Sequence, residues 1–158
     1  MKLKLLRKHS FITNNQTQAY KDYQANLNPG EVLVHGDFAQ NYSFSVQNAI
    51  QSYHWSSGTC TIHPFVCYYK DENNKVKHIN FVCISENKSH DTIAVHLFQT
   101  RLIRYLKTKI ENLSKVIYFS DGCAGQYKNR KNFINLCYHE TDFDGIRAEW
   151  HFFCHLPW

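Results

Sequence analysis

Two aspartates stand where metal chemistry could be done. Asp37 closes the apolar run EVLVHGD and Asp121 closes KVIYFSD. Each run reads as a buried strand, and in an open α/β sheet the carboxyl ends of the strands face the crevice where ligands bind. If the two strands are parallel neighbours, both side chains emerge at one edge. Two bare carboxylates a few ångströms apart would force a proton onto one of them. A hard divalent cation such as Mg²⁺ or Mn²⁺ removes that conflict and keeps waters that phosphate oxygens can replace. With a third carboxylate, a two-metal site would support phosphodiester displacement. The plainer alternative is that Asp37 and Asp121 only terminate strands or cap the next element.

Basic residues gather near the second aspartate. Arg101 to Lys131 holds eight Lys and Arg against two acidic residues, in a chain whose formal charge is +5. Such an excess suits a polyanion, and Lys128, Arg130 and Lys131 are the candidates for contacting phosphate. A solvated helix face would carry the same residues. Tyr42, Tyr53, His54 and Trp55 are rings that would either stack on unpaired bases or cover a sheet.

Other reactive types are less ordered. His63 with Cys67, and His151 with Cys154 and His155, are closely spaced, but no second paired half completes a zinc pattern. Cys123 follows Asp121-Gly122 ahead of a helix, where a thiolate would be stabilised. The six cysteines fall mostly inside apolar runs without a CxxC pair, which predicts reduced core thiols in an intracellular protein. The first residues lack the apolar stretch of a signal peptide, and no run approaches the roughly 18 apolar residues of a membrane span.

The 158 residues, 43% hydrophobic and 20% charged, fit one globular domain. Residues 1–28 read as a peripheral helical arm, or the remnant of an upstream region, ending at Asn28-Pro29-Gly30. Strands are expected at Glu31 to Asp37, Thr59 to Tyr69, Val76 to Ser85, Lys115 to Asp121 and Arg147 to Cys154. Pro64 predicts an edge position or a bulge in the second, which should form an antiparallel hairpin with the third. Ser89 or Asp91 caps a helix whose stripe is Val95, Phe98, Leu102 and Leu106. A second helix is expected from about Gln126 to His139, with Tyr127, Ile134 and Cys137 inward. The order β, β, β, α, β, α, β predicts a mixed five-stranded α/β sheet, in which a right-handed crossover lays the fourth strand beside the first. That is the ribonuclease-H-like order.

The segments HGDFAQNY, HWSSGTCTIHPFVCYY, SHDTIAVHLF, KVIYFSDGCAGQYKNRKNFINLCYH and AEWHFF resemble a family of metazoan proteins related to DNA transposons. The resemblance covers residues 31–153 and implies a DDE-type, ribonuclease-H-like domain that cuts and joins DNA with Mg²⁺ or Mn²⁺, and hence a nuclear setting. It makes Asp37 and Asp121 the first and second catalytic aspartates and metal ligands. Two positions depart from the pattern. Gln40 stands where related sequences carry Glu, and the expected Gly- and Lys-rich loop, last helix and third carboxylate do not follow AEWHFF. Residues 29–158 are therefore expected to be a truncated domain, with Glu149 a surface or ion-paired residue, not a substitute ligand. The alternative function is a non-catalytic remnant that binds nucleic acid or a protein.

Overall fold

The computed structural model describes residues 2–44 and 58–153, with side chains from residue 6 onward. Helix α1 (Lys2–Ala25) leads into β1 (Glu31–Gly36), a two-residue β2 (Tyr42–Ser43), β3 (Thr59–Lys70), β4 (Val76–Ser85), α2 (Thr92–Lys107), β5 (Lys115–Asp121), α3 (Arg130–Asp142) and β6 (Arg147–Phe153). The fold is α/β, with a mixed sheet of six strands, not the five expected, because the short β2 adds on to the start of β3. The five long strands lie in the order β4-β3-β1-β5-β6. β3 is antiparallel to β1 and to β4, whereas β5 is parallel to β1 and β6 parallel to β5.

Backbone contacts at the amino end set the register of the two central parallel strands. Gly30 turns with a φ of 80°, and a Cβ there would stand 2.5 Å from the Asn112 carbonyl oxygen. The close approach lets the Gly30 carbonyl accept from the Ser114 amide at 2.9 Å. Glu31 then pairs with Lys115 and the ladder runs to His35 opposite Phe119. β1 and β5 are apolar on both sides because both of their faces are covered.

Against one face pack Ala94, Phe98, Leu102, Ile103 and Leu106 of α2, which meet Val32, Val34, Val116 and Tyr118 of the sheet. The stripe expected from the sequence is thus the buried one, and Asp91 caps the helix by accepting from the Ala94 amide. Against the other face, the end of α1 and the residues after it bring Tyr20, Tyr23 and Leu27 onto Leu33, Ile117 and Phe119. The expected arm therefore covers part of the sheet rather than trailing beside it.

Three expectations need correction. Pro64 lies in a continuous, central β3, opposite Val82. Its carbonyl accepts from the Asp37 amide at 3.5 Å, so its ring nitrogen points the same way, past the end of β1, and no ladder bond is lost. α3 begins at Arg130, not Gln126, because Asn129 is the N-cap and accepts from the Asn132 amide. Its inner residues are Asn132 and His139, while Ile134 is 46% exposed and Cys137 is also on the surface. His139 replaces an apolar contact with two bonds, to the Tyr118 hydroxyl at 3.0 Å and the Ile146 carbonyl at 2.7 Å. Cys60, Cys67 and Cys83 are buried thiols as expected, but Cys123 and Cys137 are exposed, and Cys154 lies outside the described residues.

Candidate functional site

From the Glu31–Lys115 pair, six residues along each parallel strand lead to Asp37 and Asp121. Side chains alternate between faces. Leu33 on β1 and Ile117 and Phe119 on β5 face α1, so Asp37 and Asp121 fall on the same side, at the carboxyl ends of neighbouring strands about 5 Å apart. Asp37 is exposed and Asp121 half-buried. The Asp121 carboxylate accepts from the Cys123 amide at 3.1 Å, which turns the chain away from β5.

Gly36 is fixed by the rings beneath it. A Cβ there would stand 2.6 Å from the Phe65 ring and 3.0 Å from that of His63. The chain must therefore run close over β3 just before Asp37. Beyond it, the Ala39 amide donates to Ile62 at 2.9 Å, and the Asn41 side chain meets Thr61 at 3.1 Å and His90 at 2.7 Å. Phe38 stacks on His90 at 4.4 Å. The segments HGDFAQNY and SHD, separate in sequence, are one packed cluster. Gln40 is exposed in the connection.

The loop after Asp121 is held by amides. The Asn129 side chain donates to Thr92 at 2.7 Å and to the Ala124 carbonyl at 2.9 Å. Asn132 donates to the Tyr127 carbonyl at 2.8 Å. Tyr127 is buried and its hydroxyl lies 2.8 Å from His63 Nε2. Sequence reasoning misses His63, Tyr127, Asn129 and Asn132 in these supporting places. The signal that could have found them is the Asn-x-x-Asn spacing ahead of an apolar residue, a helix-start pattern that a helix beginning at Gln126 hides.

The three basic candidates separate. Lys128 runs beside Gly122, where an added Cβ would be 4.0 Å from its Cδ, and its ammonium lies 5.8 Å from the centre of the Phe152 ring. Its stem therefore lies by the residue that follows Asp121, while its ammonium reaches over Phe152, on the sheet face opposite to that of Phe119 and Phe153. Arg130 is exposed in the first turn of α3. Lys131 lines a groove with Ile93, His96 and Ile134, between α2 and α3. Tyr42 is exposed on β2, whereas Tyr53, His54 and Trp55 lie outside the described residues.

Glu149 shares the face of Asp121 but sits opposite Ile117, four residues back along the neighbouring strand. It pairs with Lys115 at 3.0 Å and His151 at 3.4 Å. Burial alone would raise its pKa, but these two partners outweigh it and hold the carboxyl below its ordinary value. It is the ion-paired residue expected.

Among the described residues, the His63–Cys67 zinc alternative is not assembled. His63 is engaged by Tyr127, Cys67 is buried with its thiol pushed up to about 12, and His151 stacks on Phe119 at 4.8 Å. Cys154 and His155 lie outside the described residues. Among the described residues no group of three or more His, Cys, Asp and Glu side chains converges, and no helix is long and apolar enough to cross a membrane.

These features define an α/β domain with a mixed sheet and two aspartates at one strand edge. Residues 16–155 match the family model described as a domain of unknown function, DUF8701, and the chain belongs to that family. No curated protein and no solved structure matches it.

Proposed function

We propose that this chain is a ribonuclease-H-like, transposase-derived domain that acts on DNA phosphodiesters with a divalent cation. One observation carries the reading: β1 and β5 run parallel with His35 opposite Phe119, so that Asp37, just past the end of β1, and Asp121, at the end of β5, come at the same carboxyl edge of the sheet. Numbered without the short β2, the long strands run 3-2-1-4-5, and this order supports the ribonuclease-H-like reading.

The residues present fit Mg²⁺ or Mn²⁺. Both candidates are oxygen donors, one exposed and one half-buried, so a bound cation would keep waters in its shell. When bound, the cation would supply charge stabilisation to a phosphate and lower the pKa of a water. Asp37 and Asp121 would hold it. Lys128, whose stem runs beside Gly122, would attract the phosphate next to them, and Arg130 and Lys131 would add positive field from the start of α3.

The test is a nicking assay on labelled duplex DNA with Mg²⁺ or Mn²⁺. The wild-type protein should cut, Asp37→Asn and Asp121→Asn should lose at least about 100-fold of the rate, and Glu149→Gln should cut normally. DNA binding that falls with salt but is never followed by cutting, and is indifferent to Asp121→Asn, would replace this reading with the non-catalytic one.

A further inference from the structure

Six residues after Asp121 the chain brings Tyr127 under the sheet edge, where it is only 2% exposed. Its hydroxyl meets His63 Nε2 at 2.8 Å, and His63, on β3, is itself wholly buried. Phe38, the neighbour of Asp37, closes the triangle. Its ring centre lies 4.5 Å from that of His63 and 6.1 Å from that of Tyr127. Below Tyr127 the chain is pinned by Asn132, which donates to its carbonyl at 2.8 Å, and by the Tyr127 amide on the Cys123 carbonyl at 2.8 Å. One side chain thus connects the loop that follows each candidate ligand, through the strand that lies beside β1.

The electrostatics agree with this placement. Burial raises the pKa of the phenol, and the charges of Asp37 and then Asp121 raise it further, so the ring lies within the field of both carboxylates. Burial also pulls His63 down to about 4. Near neutral pH the contact is a bond between two neutral groups, which adds no positive charge to compete with a cation.

We propose that Tyr127 and His63 are a positioning pair that fixes the separation of Asp37 and Asp121, and so sets the affinity of their site for a divalent cation. The inference rests on the reading of Asp37 and Asp121 as cation ligands. Neither Tyr127 nor His63 is a ligand itself. Their hydrogen bond restrains the two loops, as outer partners do around metal sites, where losing one costs roughly 10–100-fold in affinity.

The experiment is a Mn²⁺ titration of the whole chain, read by the electron paramagnetic resonance signal of free Mn²⁺, beside a thermal melt of each variant. Tyr127→Phe keeps the ring and loses the hydroxyl. It should bind Mn²⁺ about 10-fold more weakly or worse, whereas Leu102→Ala, a core change on α2, should melt lower yet bind normally. His63→Leu breaks the same bond from the other side and should match Tyr127→Phe, which keeps the test open if one variant does not fold. Asp37→Asn and Asp121→Asn should abolish saturable binding. If those two lose Mn²⁺ while Tyr127→Phe and His63→Leu bind like wild type, the positioning role is overturned and the carboxylate reading stands. If Asp37→Asn and Asp121→Asn bind like wild type, both are overturned.

Discussion

Two acidic side chains on one face of the β5–β6 pair meet opposite circumstances. Glu149, toward the amino end, lies between Lys115 and His151, and its negative charge is answered by the fold. Asp121, at the carboxyl end, takes an amide hydrogen bond from Cys123, and among the described residues no ion pair within 4.0 Å reaches it. Position makes the difference, since residue class and face are shared. At the amino end the sheet closes on itself through Gly30 and Ser114, with a lysine built into the strand. At the carboxyl end the strands release their chains into loops, and a second carboxylate, Asp37, arrives beside the first.

The largest expected effect breaks the carboxyl end by packing. Gly36→Ala places a methyl group 2.6 Å from the Phe65 ring, which is itself packed in the buried core. A loss of about 3 kcal/mol is expected in urea unfolding, together with loss of cation binding. A Gly36→Ala protein as stable as wild type would show that the close passage over His63 and Phe65 is not required.

A pH series sharpens the same contrast. The His63 pKa is lowered to about 4 by burial, and those of His35 and His139 are lowered also. A histidine whose folded pKa lies below its unfolded value of about 6.5 favours folding above that value. Its contribution is lost as pH falls, because the unfolded chain takes up the proton first. Stability at pH 5 should therefore be about 2 kcal/mol below that at pH 7. His63→Leu should flatten much of this dependence. An unchanged slope would mean that His63 is not held neutral by burial.

Smaller effects separate the loop from the amino-end ion pair. Asn129→Ala removes the cap of α3 and the tie to Thr92, and should cost about 1 kcal/mol. It should also loosen the turn after Asp121, seen as faster amide exchange at residues 123–128. Glu149→Gln loses a partly exposed pair with Lys115, worth no more than about 1 kcal/mol, and leaves cation binding unchanged. A large effect of Glu149→Gln on Mn²⁺ affinity would erase the distinction between the two ends.

Much of the frame is legible in the sequence because its signals are local. Val95, Phe98, Leu102 and Leu106 form a clean stripe, and KVIYFSD is too apolar for anything but a strand covered on both faces. The hairpin of β3 and β4 follows from its turn, and the place of β5 beside β1 from the crossover rule. The features that escape a sequence reading depend on distant partners. The inner face of α3 is polar because His139 finds Tyr118 and the Ile146 carbonyl, and no periodicity reveals such bonds. Pro64 sits in a central strand without cost because β1 ends one residue short of Asp37, which its own neighbourhood in sequence does not disclose. Tyr127 reads as inward, but its bond to His63 spans 64 residues and leaves no local trace.

The most direct test of the central claim is Mn²⁺-induced broadening of backbone amide signals at substoichiometric metal, a paramagnetic effect that falls steeply with distance. Amides of Phe38, Gly122 and Cys123 should disappear first, while those of Lys115 and Glu149 persist. Broadening centred on Glu149, or spread evenly over the acidic surface, would contradict the assignment of the cation site to Asp37 and Asp121.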